Sequence, residues 1–352
     1  MIHLILAACL ASSPQECGTI LLPQGDAATQ QECMAQARRI AAEWLALHAD
    51  LTGGAVECRA NADLPAAGLQ QVAPGVHVHL GQMVQMEESA DGRIANLGVI
   101  IGDNSVAVID AGVSRAEGQA LLVAIRRLTD KPITDLVLTH VHPDHALGAS
   151  VMVEAGARVW GHEDLPRALE TRGPTYLDNL TRLYPASEWI GTRIVAAGHT
   201  VREDVGIDLG GRRLRLTVWP AAHTDSDLTV LDEATGTFFA GDLVFRTLTP
   251  VLDGSLPGWL DWMDKAPSIE ARLIVPGHGN VARIWDEALQ PQRDFLSALA
   301  DSTRARISEG VPMSQAVPMI VDDLQPMENR WSSFDATVGR NATAAYKELE
   351  WE

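Results

Sequence analysis

Lysine is nearly absent from this chain: Lys131, Lys265 and Lys347 are its only three in 352 residues, and no basic run occurs anywhere. The formal net charge is −19. A nucleic-acid substrate needs clustered Lys and Arg to replace the counterions on its phosphates, so that class is excluded. An anionic membrane surface is disfavoured for the same reason. No apolar run approaches the roughly 20 residues of a spanning helix. Aromatic residues make up 5% of the chain, with Phe and Tyr scarcer than the nine Trp, whereas hydrophobic residues reach 46%, so the core must be mainly aliphatic. Cysteine is missing beyond residue 58.

The four cysteines, Cys9, Cys17, Cys33 and Cys58, therefore share one short segment. Between Ala28 and Ala46, Cys33 falls on the same helical face as Ala37, Ile40, Ala41, Trp44 and Leu45. That face is expected to pack on the strands carrying Cys9 and Cys17. A unit of about 60 residues has a marginal core and gains most from covalent staples. Two disulfides are expected, with all three pairings open, and with them an oxidising compartment, the periplasm being the expected location; the alternative is four reduced, buried thiols in a cytoplasmic protein. Leu6-Ala7-Ala8-Cys9 has the form of a lipoprotein cleavage box, but no Lys or Arg precedes it and the apolar stretch is short. A buried strand is the better reading, and a start lying upstream with an export signal would reconcile it with the cysteines.

The chain divides into a small α/β unit over residues 1–65 (strand, strand, helix, strand), a large unit over 70–312 and a C-terminal extension over 313–352. In the second unit, strands are expected at Val76–Leu80, Ala95–Ile101 and Val106–Ile109, the last two joined by a turn at Asp103-Asn104. Ser114 caps an amphipathic helix to Leu128. Pro143 opens a helix to about Ala155, and a polar helical stretch from Glu163 to Leu183 is a candidate lid. A long helix runs from about Ile284 to Ser308.

Against this background one run stands out. Thr139-His140-Val141-His142-Pro143-Asp144-His145 follows an apolar strand, Ile133 to Leu138, and holds three of the 11 His. Neutral imidazole and carboxylate are ligands for divalent metals such as zinc. On extended chain, residues two apart point the same way, so His140 and His142 can clamp one ion. Asp144 and His145, past the turn, can face a second. Further donors follow strand-like stretches: His223 after Leu214–Trp219, Asp242 after Thr237–Ala240, and His278 after Leu273–Val275. Glycines beside Asp242 and His278 suit backbone that must bend tightly for a short side chain to reach an ion.

The series THVHPDH, AAHT, FAGD and PGHG, in that order over about residues 70 to 310, resembles the metallo-β-lactamase superfamily of metallohydrolases. The resemblance implies an α/β fold, an αββα sandwich with metals at one sheet edge. It implies two zinc ions. His140, His142 and His223 would hold the first, Asp144, His145 and His278 the second, with Asp242 bridging. A zinc-held water, its pKa lowered from about 15.7 to roughly 7, would attack a small ester, thioester or lactone, and Asp144 would serve as the catalytic proton carrier. Asp242 stands where dedicated β-lactamases use Cys or Ser, and His142 where a di-iron branch uses Glu. HPDHALG, the stretch Gly339 to Tyr346 and the Cys-bearing start resemble the quinoprotein relay system zinc metallohydrolases, a branch linked to periplasmic quinoprotein and sulfur-oxidation systems. Two alternatives stay open: a mononuclear iron, thiol-linked dioxygenase of the same fold, and a non-catalytic partner protein of a periplasmic redox system.

Other polar residues have plainer readings. His77 and His79 occupy the polar face of a strand, His199 lacks a following F-x-G-D, and His162 belongs to core or surface. Asp110 ends a buried strand and is expected to support the metal loops without binding metal itself. Trp259 and Trp262 are expected to pack rather than to wall the substrate site. The triplets at Asn179 and Asn341 fit a glycosylation pattern that also arises by chance.

Overall fold

A computed structural model describes all residues, 1–352. The opening run is a strand, β1 (Ile2–Leu10), followed by β2 (Cys17–Ala27), helix α1 (Gln30–Ala46) and β3 (Leu51–Ala60). They form an antiparallel sheet ordered β2-β1-β3. Alternation places Leu4, Leu6 and Ala8 of β1 against α1, while Ile5 turns to the opposite face and joins a core belonging to the rest of the molecule. Thr29 caps α1 through a reciprocal capping box with Glu32. Cys9–Cys17 closes the β1–β2 hairpin and Cys33–Cys58 ties α1 to β3. The face of α1 that bears Cys33 packs on β1 and β2 as expected, and of the three open pairings Cys33 takes Cys58 on β3.

The remaining strands are β4 (Leu69–Ala73), β5 (Val76–His79), β6 (Leu97–Ile101), β7 (Val106–Ile109), β8 (Ile133–Val137), β9 (Arg158–His162), β10 (His199–Val201), β11 (Val205–Asp208), β12 (Arg213–Val218), β13 (Leu228–Asp232), β14 (Thr237–Phe245) and β15 (Leu273–His278). The helices among and after them are α2 (Arg115–Leu128), α3 (Pro143–Ala146), α4 (Ala149–Glu154), α5 (Leu165–Leu183), α6 (Ala186–Trp189), α7 (Leu256–Lys265), α8 (Trp285–Ser308), α9 (Met313–Leu324) and α10 (Phe334–Leu349). A seven-stranded sheet, β10-β9-β8-β7-β6-β5-β4, faces a five-stranded one, β11-β12-β13-β14-β15. Val78, Ile100, Ile109 and Val137 of the first meet Leu214, Leu216, Val230 and Phe239 of the second. On the outer face of the larger sheet, α2 and α4 bury Leu121, Leu122, Ile125 and Val151. On the outer face of the smaller sheet, α7, α8, α9 and α10 share one core with Phe238, Ala240 and Ile274. The result is the expected αββα sandwich. Residues 313–352 do not trail from it; α9 and α10 complete its largest apolar core.

A fully buried guanidinium joins the small sheet to the sandwich. Arg115 donates to Glu154 at 2.5 and 2.8 Å and to the Leu21 carbonyl at 3.0 Å. Its guanidinium also lies 5.0 Å from the Trp44 ring centroid, and Trp44 donates to the same glutamate at 3.0 Å. A buried ion pair of this kind is costly to break on one side alone.

Two local expectations change. The helix opened by Pro143 is broken at Leu147-Gly148, where the Gly148 amide leaves the helical pattern to bond the Gly112 carbonyl at 2.8 Å. Asp242 also lies within a strand and not in a loop after one, since β14 continues to Phe245. The register slips on either side of Gly241, a bulge that re-aims the side chains there.

Candidate metal centre

All seven predicted donors meet at one edge of the facing sheets. His140 and His142 follow β8, Asp144 and His145 lie on α3, His223 follows β12, Asp242 sits at the β14 bulge and His278 ends β15. Gly277 is required here: a Cβ on it would stand 1.9 Å from Asp242 Oδ1. Gly241 takes φ +54° and presses against Thr139, where a side chain would clash at 2.8 Å.

The donors fall into two groups, His140, His142, His223 and Asp242, and Asp144, His145 and His278. In the first, His142 Nδ1 is 3.1 Å from His140 Nε2 and 3.0 Å from His223 Nε2, while Asp242 Oδ2 is 3.6 and 3.3 Å from the same two nitrogens. In the second, Asp144 Oδ2 is 3.4 Å from both His145 Nε2 and His278 Nε2. Asp242 reaches this group too, at 3.1 Å from His145 and 3.3 Å from His278. With zinc–nitrogen bonds of roughly 2.0–2.1 Å, the ligand atoms of a tetrahedral ion stand about 3.3–3.4 Å apart. Both groups match that spacing, so their residues could hold metal ions.

The outward ring nitrogens decide which way each imidazole donates. His223 Nδ1 lies 2.7 Å from the Val251 carbonyl, His278 Nδ1 2.9 Å from the Ile94 carbonyl, His145 Nδ1 2.8 Å from Asp110 and His142 Nε2 2.9 Å from Asp253. A carbonyl or carboxylate can only accept, so each of these nitrogens carries the proton. His140 Nδ1 faces Thr139 Oγ1 at 3.0 Å, and that hydroxyl donates to Asp110 at 2.8 Å, which leaves it free only to accept. In its neutral form each of the five rings turns a bare lone pair inward, the arrangement in which an outer partner fixes the tautomer of a metal-binding histidine. His145 Nε2 and Asp242 Oδ1 are buried without a hydrogen-bond partner.

Electrostatics follow from crowding. Burial, followed by the neighbouring His145, drives the His140 pKa well below its ordinary value. Burial would lower His145 as well, but Asp242, Asp144 and Asp110 outweigh it and hold that imidazole well above. Burial also opposes ionisation of Asp242, yet His278, His145 and His140 keep its carboxyl well below the usual range. Asp253 is low despite burial because His142 and Arg172 both bond it. Bound cations would dominate these local effects.

Several supporting residues carry no motif in the sequence. Asp253 receives His142 and the Arg172 guanidinium of α5. Asn341 of α10 is fully buried; it accepts from Leu252 N at 3.0 Å and donates to the Pro250 carbonyl at 2.7 Å, clamping the loop whose Val251 carbonyl orients His223. Burial also removes Asn341 as a glycosylation acceptor. Asn96 does the equivalent for His278, donating to the Pro276 and Gly279 carbonyls at 2.8 and 2.7 Å. The only sequence signal was a polar residue interrupting an apolar stretch, as in Ile94-Ala95-Asn96-Leu97 and Val251-Leu252-Asp253-Gly254.

Asp110 supports the loops as expected, accepting from Thr139 N, Thr139 Oγ1 and His145. It holds φ +59°, a conformation Asp tolerates better than most residues. His199 is exposed and stacked on Trp160, and His162 accepts from Asp164 N. His77 and His79 are half-buried on β5, and His79 Nδ1 lies 3.2 Å from the Gly68 carbonyl. Trp259 is fully buried, donates to the Leu243 carbonyl and backs the His223 ring at 5.2 Å, so it packs and does not wall the cleft.

A four-layer sandwich with this histidine and aspartate cluster at its sheet edge places the chain among metal-dependent hydrolases. More specifically, the metallo-beta-lactamase superfamily model matches residues 90–278, over half of the chain, and the chain belongs to that superfamily. A linear primary-alkylsulfatase from Pseudomonas sp. is 22% identical over 251 residues, 60% of this chain and 47% of the relative. The solved stereoselective inverting sec-alkylsulfatase from Pseudomonas sp. matches with TM-score 0.63 at 18% identity, covering 80% of this chain and 50% of that one. A metallo-beta-lactamase from Pontibacter korlensis matches with TM-score 0.53 at 18% identity, over 65% of this chain and 98% of its own. The structural likenesses show the shared fold. The chain spans about half the length of the alkylsulfatases it matches.

Proposed function

We propose that the chain is a dinuclear zinc hydrolase that cleaves an ester-type bond in a small molecule: an ester, thioester or lactone, or, by analogy with the alkylsulfatases, a sulfate ester. The observation that carries this reading is the set of five imidazoles whose outer nitrogens are all protonated and held, with the inner ones meeting Asp144 and Asp242 at tetrahedral spacing. His140, His142 and His223 would hold one ion, Asp144, His145 and His278 the other, with Asp242 between them. Zinc in these positions would supply a water of lowered pKa and polarise the substrate oxygen.

The protein's own residues do the rest. Asp144 lines the open cleft beside both groups, where its carboxylate can receive the proton released on cleavage. Phe245, Leu248 and Val251 add apolar lining beside the donors. The completeness of the second donor group favours two ions over the single iron of a thiol-linked dioxygenase. A non-catalytic partner would have no use for a donor set opening on a cleft. The two disulfides support an oxidising compartment such as the periplasm, and a link to a quinoprotein or sulfur-oxidation system there belongs to the same proposal.

Metal quantification on the purified protein, with hydrolysis assays on alkyl sulfate, thioester, lactone, phosphoester and β-lactam substrates, tests it. About two zinc ions per chain are expected. Asp242→Ala should release bound zinc and lower turnover by on the order of 10³-fold, the loss of several kcal/mol of charge stabilisation. One iron per chain with oxygen consumption would replace this reading by the dioxygenase, and full activity in Asp242→Ala would end the bridging role.

A further inference from the structure

The metal cleft encloses about 180 Å³ and reaches beyond the donors to the amino-terminal part of α10. One residue there stands apart in charge. Arg340 is the only Arg or Lys lining the cleft. Most guanidiniums in this acidic chain are committed elsewhere. Arg172, nearest in role, is held by Asp253 and bonded to Tyr176. Arg93 is shared between Asp91 and Glu188. Arg340 makes no ion pair and no hydrogen bond, although the chain holds 46 Asp and Glu. Glu87 lines the same cleft without reaching it.

The side chain of Arg340 is exposed, but its backbone is held in place. The next residue, Asn341, is buried and doubly bonded to the 250–252 loop. At the start of the helix, Ser333 accepts from Gln85 N at 3.1 Å and donates to Glu88, tying α10 to the opposite wall of the cleft. An unpaired cation on a rigid helix, beside a cleft with apolar walls from Met86, Ile94 and Leu248, suits a ligand with a charged end and an apolar body. A protein of net charge −19 repels anions in general, so an anionic substrate must meet locally reversed charge where it binds.

We propose that Arg340 recognises an anionic group on the substrate and makes the cleft selective for small organic anions with an apolar portion, such as alkyl sulfates or esters bearing a free carboxylate. This rests on the reading that the ester is cleaved in this cleft. The guanidinium's paired N–H groups match a carboxylate or sulfate edge. Arg340 is thus a substrate-binding residue contributed by the last helix.

Calorimetric titration of the zinc-loaded protein with 1-hexanesulfonate, and with 1-hexanol as the uncharged counterpart, tests the proposal independently of turnover. Arg340→Ala is expected to weaken hexanesulfonate binding about tenfold and hexanol binding by less than about twofold, with Arg340→Lys in between. Equal hexanesulfonate affinity in wild type and Arg340→Ala, or equal losses for both probes, would overturn it. Arg340 has no partners to lose, so the variant should fold; an unchanged melting temperature checks this. In parallel, the ratio of kcat/KM for an anionic ester over its neutral analogue should fall in Arg340→Ala. If wild type hydrolyses neither ester while hexanesulfonate binding still depends on Arg340, the hydrolase reading fails and the anion site stands. If both esters are cleaved with an unchanged ratio, the reverse holds.

Discussion

The two donor groups look alike from the metal's side and differ behind it. The second is braced from inside the sandwich. His145 bonds Asp110, with side chains 0% and 3% exposed, and His278 bonds a carbonyl at a position that Asn96 clamps. The first shares that inner brace only at His140, through Thr139 to Asp110, and is otherwise braced from outside. His142 and Asp253 are 16% and 36% exposed, the far end of their chain is Arg172 on α5, and His223 depends on a loop held by α10. One group is therefore built into the common core of the two sheets, and the other is completed by segments laid over the edge. The α5 brace lies at the surface, whereas the α10 brace is part of the largest apolar core, and both helices also line the cleft.

This contrast can be tested by removing the braces in turn. Asp110→Asn strikes the inner one. It leaves an amide where His145 Nδ1–H and the Thr139 hydroxyl both need an acceptor, so under the proposed two-zinc reading metal affinity should fall roughly 10–100-fold, with the ion held by His145 lost first. Stepwise chelator titration followed by metal analysis would read the order. Asp253→Asn strikes the outer brace, touching only His142 and Arg172; a loss nearer tenfold is expected, confined to the first ion. If the two variants lost the same ion to the same extent, inner and outer bracing would not be distinct.

The smallest effect concerns the base of the inner side. Glu117 is buried, accepts from Val113 N at 2.8 Å and supports the 111–114 segment, whose Ala111 amide bonds the His145 carbonyl. Burial pushes its carboxyl up to about 8 from an ordinary 4.5. The folded pKa is the higher one, so the group's contribution to stability is complete below pH 4.5 and lost as pH rises through about 8. Glu117→Gln should flatten this dependence: between pH 5 and pH 8 the wild type should lose roughly a few °C more in Tm than the variant. Parallel melting curves would show that Glu117 is ionised in the folded protein and sharpen the inner brace no further.

Much of the centre is legible in the sequence. His140, His142, Asp144 and His145 are neighbours along the chain, and His223, Asp242 and His278 each sit by a strand end, so local spacing announces them. The braces are not legible. Val251 and Ile94 act through carbonyls that every residue possesses, and Asn96, Asp253 and Asn341 are single polar residues whose partners lie 111 to 183 positions away in three of the bonds that matter, or are reached through a clamped loop. The pairing of Cys33 with Cys58 depends on where α1 crosses its sheet, which helical periodicity does not specify. The helix after Pro143 breaks at Gly148 because the backbone there bonds a distant loop, a contact no propensity encodes.

What the sequence determined by itself was the chemistry of the donors: imidazole and carboxylate in an H-x-H-x-D-H run with three later partners, a strongly acidic composition, and cysteines concentrated in one segment. Those properties belong to residue type and local spacing. Only the tertiary structure decided which nitrogen of each ring faces inward, that α10 belongs to the site, and that Arg340 stands there unpaired. Such facts depend on chain segments hundreds of residues apart meeting at one sheet edge, where burial and hydrogen bonding, not sequence proximity, fix the rings of the donors and the backbone of α10.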